Sequence, residues 1–132
     1  MYATANDMMD RFGDAEMMQL AERAGSEVIE QALDDATAEI DIYLSNRYRL
    51  PLDPAPPVIR RVACDIARYR LFDNAAPEEV RRRYEDALRL LRSLANGTAS
   101  LGLPGLVEPN GEAVVVRPGA KVFGRRPNGV FR

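Results

Sequence analysis

Histidine is absent from the 132 residues, and cysteine occurs once, at Cys64. That removes the commonest general base, the Ser-His and Cys-His nucleophile pairs, imidazole metal ligands and any internal disulfide or thiolate cluster. Carboxylate and guanidinium chemistry remains. Asp34, Asp35, Glu39 and Asp41 crowd one stretch, and a cluster of hard oxygens is what a divalent cation needs. On a helix, however, only Asp35 and Glu39 face each other, too few oxygens for a dedicated site, so a solvated acidic face is the better reading. Cys64 falls in an apolar run and reads as core packing. The chain is therefore expected not to be an enzyme, with no cofactor, no metal and no catalytic residue.

Arginine is the second resource, with seventeen in the chain. Arg60-Arg61 and Arg81-Arg82-Arg83 can follow a nucleic-acid backbone, which makes a small arginine-rich nucleic-acid-binding module the alternative reading. Against it stand a net charge of −2 and a pI near 5.2. The charges are also segregated. Residues 1–46 hold eleven carboxylates against two arginines, net −9; residues 47–97 are net +4, and residues 98–132 net +3. An acidic front and a basic back suit head-to-tail packing of identical subunits, where one face meets the opposite face of the next chain. Pairing of acidic and basic helices within one chain explains the same numbers.

The elements that carry these charges follow from periodicity. The stretch from Val58 to Leu94 reads as two helices folded into a hairpin at Asn74-Ala75-Ala76-Pro77. In the first arm Val58, Ile59, Val62, Ala63, Ile66 and Ala67 form a stripe wide enough to touch neighbours on several sides, which predicts the most buried helix. The second arm has a narrower seam, Val80, Tyr84, Ala87, Leu91 and Leu94, and a wet arginine-rich face. Pro77 suits its first helical position and Gly97 its end, with Glu79–Arg83 and Glu85–Arg89 spaced as ion pairs.

Upstream, Thr4 can cap a helix over Ala5 to Phe12, with Asp7 completing a capping box, and Gly13 closes it. A second short helix runs from Asp14 to about Glu22. Met8, Met9, Met17 and Met18 in this span suit an adaptable binding surface or an irregular edge of the core. Ser26 is the next expected cap, for a long helix from Glu27 to about Arg47. Leu50 to Pro57 holds four prolines and reads as a stiff, extended crossover; serving as a proline-rich ligand is the lesser reading.

The expected fold class is all-α: a small bundle of three longer helices, Glu27–Arg47, Val58–Asp73 and Pro77–Asn96, after one or two short N-terminal ones, filling residues 1–97. Residues 98–132 change character, with six glycines and four prolines, and read as an extended C-terminal arm. Within the arm, Ala113-Val114-Val115-Val116-Arg117 and Lys121-Val122-Phe123 are short strand candidates that can form on assembly. No run approaches the roughly 20 apolar residues of a membrane span, and no signal peptide is discernible, so synthesis in the cytoplasm is the default.

The opening MYATANDMMDRFG, the run DATAEIDIYLSNRYRLPL, and ACDIARYRLFDNAAPEEVRRRYEDALRLLR followed by Gly97 together resemble the small head-completion proteins of Mu-like phages and prophages. The resemblance covers roughly residues 1–102, and AKVFGRR near the end is similar to the family's basic-aromatic terminus. It implies a head-tail connector, or adaptor, at the virion neck: a homo-oligomeric ring, commonly dodecameric, below the portal protein and above a tail-side neck or tail terminator protein. DNA would pass through it without sequence-specific binding, and no membrane would be involved. By the same analogy the arm would bind the portal or a neighbouring subunit through Val114, Val115, Val116, Arg117, Lys121, Val122, Phe123, Arg125, Arg126 and Phe131.

Overall fold

The computed structural model describes residues 1–103, and the regular elements there are helical. Five α-helices follow one another: α1 Ala5–Phe12, α2 Asp14–Ala24, α3 Ser26–Leu44, α4 Pro57–Phe72 and α5 Glu78–Asn96, with a 3-10 turn at Asp73–Ala75 between the last two. The strand candidates, with the rest of the arm beyond residue 103, lie outside the described residues.

The caps explain the boundaries. Thr4 Oγ1 accepts from the Asp7 N–H at 3.1 Å while the Asp7 carboxylate accepts from the Thr4 N–H at 2.9 Å, so the expected capping box is present. Gly13 and Gly25, at φ 93° and 94°, each end one helix and begin the next; only glycine adopts that turn cheaply. Gly25, and not Ser26, is therefore the cap of α3, and Ser26 is its first residue. At the other end α3 stops at Leu44, earlier than Arg47, because the N–H groups of Arg47 and Tyr48 both fold back onto the Leu44 carbonyl. Tyr48 is thereby turned into the core. Pro57 opens α4 one residue before the expected start, its missing N–H costing nothing at a first helical position.

Helix α4 touches each of the other four α-helices. Ile59, Val62, Ala63, Cys64, Ile66, Ala67 and Leu71 are buried around its circumference, as the wide stripe predicts. Helix α5 lies across it with Val80, Ala87, Leu91 and Leu94 buried and Tyr84 stacked on Tyr69 of α4, the rings 4.1 Å apart and within 3° of parallel. Cys64 is wholly buried, and burial pushes its thiol up to about 12. Since the thiolate is the reacting form, Ellman's reagent at pH 8 should label Cys64 only as fast as the bundle unfolds. Labelling that outpaces unfolding would show that α4 opens locally.

The crossover from α3 to α4 remains non-helical, but it is folded and not a straight rod. Its Leu50–Pro51 and Asp53–Pro54 bonds are cis, and Leu52 is buried. The Leu52 N–H donates to the Tyr2 hydroxyl at 3.1 Å, and that hydroxyl donates to Asp41 on α3. Burial, and then Asp41, push the Tyr2 phenol up to about 12, so it stays a donor at neutral pH. After α5, Gly97 turns the chain at φ 87°. A side chain there would strike the Arg47 guanidinium at 3.0 Å. The Leu101 N–H then donates to the Tyr48 hydroxyl at 3.0 Å, which fixes where the chain leaves the bundle.

Candidate functional site

The charge segregation seen along the sequence becomes a segregation in space. Of the eleven carboxylates in residues 1–46, two meet an arginine of the following half among the described residues. Arg68 grips Glu16 with Nε and Nη2 at 2.7 and 2.9 Å, and Arg70 Nη2 lies 2.8 Å from Glu39. The basic helix otherwise pairs with itself, through Arg81 to Glu78 and Glu85, Arg83 to Glu79, and Arg89 to Asp86. The Glu79–Arg83 pair is the expected one; Arg89 takes Asp86 instead of Glu85, which Arg81 already holds. Glu27, Glu30, Asp34 and Asp35 on α3 and Asp10, Asp14 and Glu22 on the short helices face solvent, while Arg82 and Arg92 on α5 and Arg61 on α4 face solvent elsewhere. Pairing within one chain thus accounts for a minority of the charges among the described residues.

Two charged residues are buried in α4, and the periodicity reading assigns neither a role. Arg68 is 7% exposed. Burial opposes its charge, but the hydrogen-bonded pair with Glu16 outweighs that and holds its pKa above the ordinary value. Its Nη1 has no hydrogen-bond partner among the described residues, and its guanidinium carbon stands 4.2 Å from the centre of the Phe12 ring, a cation–π contact. This cluster staples α1, α2 and α4 together. Their sequence signal was indirect: on a helix apolar around its circumference, any mid-helix charge must also be inside.

Asp65, 8% exposed, lines a small polar cleft with Arg61, Arg83 and Asp86. Burial raises its pKa despite Arg83 and Arg61. A carboxyl raised on folding favours the folded state below its unfolded value of 3.8, and that contribution disappears as pH rises through the folded value. Asp65→Asn should therefore raise the melting temperature at pH 7 by a few degrees and leave it unchanged near pH 3. A drop at pH 7 would show that the arginines outweigh burial.

No group of three or more His, Cys, Asp or Glu side chains able to hold a metal occurs among the described residues. Asp35 and Glu39 are drawn toward Arg70 of α4, in keeping with a charged face and not a cation cage. No helix there is long and apolar enough to cross a membrane. The methionines divide between the two readings. Met8 and Met17 are core, whereas Met9 and Met18 are 38% and 58% exposed, beside a groove of about 380 Å³ between α1, α2 and α3. The arm residues Val114, Val115, Val116, Arg117, Lys121, Val122, Phe123, Arg125, Arg126 and Phe131 lie outside the described residues.

Comparison with known proteins bears on this arrangement. The family model described as "Bacteriophage Mu, Gp36" matches residues 2–117. The Mu-like prophage FluMu protein gp36 of Haemophilus influenzae is 48% identical over 75 residues, which is 57% of this chain and 53% of that protein, so the match spans about half of that relative's length. Gene product J of Escherichia phage Mu is 32% identical over 137 aligned positions, 97% of each chain.

Proposed function

The chain belongs to the bacteriophage Mu Gp36 family, and from that premise we propose that it is a structural virion protein, a head-tail connector subunit that forms a ring between portal and tail. The observation that carries the reading is the unequal charge pairing. Among the described residues the acidic face of α1 to α3 keeps nine of the eleven carboxylates of residues 1–46 apart from any arginine of the following half, and Arg60, Arg61, Arg82 and Arg92 on α4 and α5 enter no ion pair. Such faces are complementary between copies, and a heterologous contact repeated around an axis closes into a ring. Nothing in the role calls for catalysis. The DNA passing through contacts a wall that should not hold phosphates tightly, so the arm's Arg117, Lys121, Arg125 and Arg126 serve protein contacts with the portal or a neighbouring subunit.

Light scattering behind a sizing column tests this with the protein alone and mixed with its portal protein. A ring-sized species, or a monomer recruited by the portal, is expected. Deleting residues 113–132 should leave the helical circular-dichroism signal and melting transition intact but abolish assembly. A monomer indifferent to the portal, yet retarded by duplex DNA in a salt-sensitive way, would move the assignment to the nucleic-acid module. A truncated chain that still assembles would remove the arm from the mechanism.

A further inference from the structure

The groove between α1, α2 and α3 is apolar at its floor and acidic at its edge. Ala5, Met17, Ala21 and Ile29 line it, Met9 and Met18 stand exposed beside it, and Glu27 and Glu30 form the α3 rim. Exposed methionines around a concave apolar surface are costly to leave in water, and their thioethers adapt to, and favour, an aromatic ring edge. At about 380 Å³ the groove sits near the small end of ligand pockets, roughly 300–1,000 Å³, room for one aromatic side chain and its neighbours. A fitting occupant is a ring followed within a few residues by cations.

The chain itself carries that pattern. Two of its four phenylalanines lie beyond residue 103, and Phe123-Gly124-Arg125-Arg126 sets an aromatic two and three residues ahead of paired arginines within a segment of net charge +3. We propose that the groove of one subunit receives the Phe123–Arg126 segment of a second copy, with Phe123 among the methionines and Arg125 and Arg126 against Glu27 and Glu30. This deepens the connector reading and rests on it. Reach is sufficient. The chain leaves the bundle beside Tyr48, past the C-terminal end of α3, whereas the groove lies near its N-terminal end. Phe123 lies twenty positions after Leu103, a stretch that can span up to about 70 Å when extended, well beyond the width of a bundle this size, whose radius of gyration is about 13 Å. Reach alone allows the same docking within one chain; docking onto a second copy links each subunit to the next and makes the contact heterologous, as ring closure demands.

The test uses the full chain carrying Met18→Cys and Gly124→Cys, assembled with the portal and treated with a short bis-maleimide. Native Cys64 is buried and stays silent, and Met18 is exposed. The expected result is a covalent ladder of linked subunits on a denaturing gel. In an independent arm, Glu30→Lys should weaken assembly about fivefold, on the order of an exposed charge pair, and Arg126→Glu should restore it. Rings that form normally but yield only internally linked or unlinked chains, or a Glu30→Lys defect that Arg126→Glu deepens, overturn the groove assignment and leave the connector reading standing. An unmodified chain that assembles neither alone nor with the portal overturns both.

Discussion

Leu91→Asp should leave no folded bundle at 25 °C. Leu91 is fully buried at the seam of α5 against the core. Truncating such a leucine to alanine costs about 2–5 kcal/mol in transfer and cavity terms. An aspartate adds the burial of a carboxylate with no cation built to meet it, several kcal/mol more after relaxation. Together these match the roughly 5–15 kcal/mol that holds a domain of this size. Helical circular dichroism and thermal melting read the outcome, with Leu91→Ala as the control that stays folded at a lower midpoint. A cooperative melt near the parent temperature in Leu91→Asp would mean that α5 can shift or roll to expose this position.

Glu16→Ala should cost about 3 kcal/mol, more than any surface ion pair supplies. The pair it breaks is not a surface pair: Arg68 donates two hydrogen bonds to Glu16, and the remaining carboxylate, Glu79, is 3.8 Å away and mostly in water. Removing one member of a buried pair leaves the other charged and desolvated. Because Glu16 is itself partly wet, the loss should lie at the low end of the range for buried pairs. Arg68→Met keeps the stem and removes the charge, so adding it to Glu16→Ala should recover part of the loss in urea unfolding, a coupling that a double-mutant cycle isolates. A Glu16→Ala midpoint equal to the parent's would show that Phe12 and water satisfy the guanidinium unaided.

The architecture of the bundle was legible because its signals are local. Thr4 with Asp7, the glycines at 13, 25 and 97, and the apolar spacing of α4 and α5 each act within one or two turns, and helix limits agree within a few residues. The errors also have local causes: a glycine at positive φ displaced Ser26 as a cap, and Tyr48 folding into the core shortened α3. What escaped notice was tertiary. The Arg68–Glu16 grip joins residues 52 apart in sequence, and the Tyr2 hydroxyl meets Leu52 across 50; no periodicity encodes either. For the candidate surface, sequence located the acidic and basic halves and the methionines. Only the fold showed that intramolecular pairing leaves most of that charge unmatched among the described residues, and that two methionines open onto a groove.

The tyrosine pair of α4 and α5 has a use in the spectrometer. The chain contains no tryptophan, so its near-ultraviolet absorbance beyond the weak phenylalanine bands, and the emission excited there, belong to its five tyrosines, and all five, Tyr2, Tyr43, Tyr48, Tyr69 and Tyr84, lie within residues 1–103. Two of them are stacked in near-parallel planes at 4.1 Å, close enough for their transition dipoles to couple and give a signed near-ultraviolet band that exists only while those helices are in register. The bundle thus carries a built-in optical gauge to which residues 104–132 contribute no chromophore of this kind. A partner that leaves the band unchanged has engaged the chain without repacking α4 on α5, and one that alters it has not.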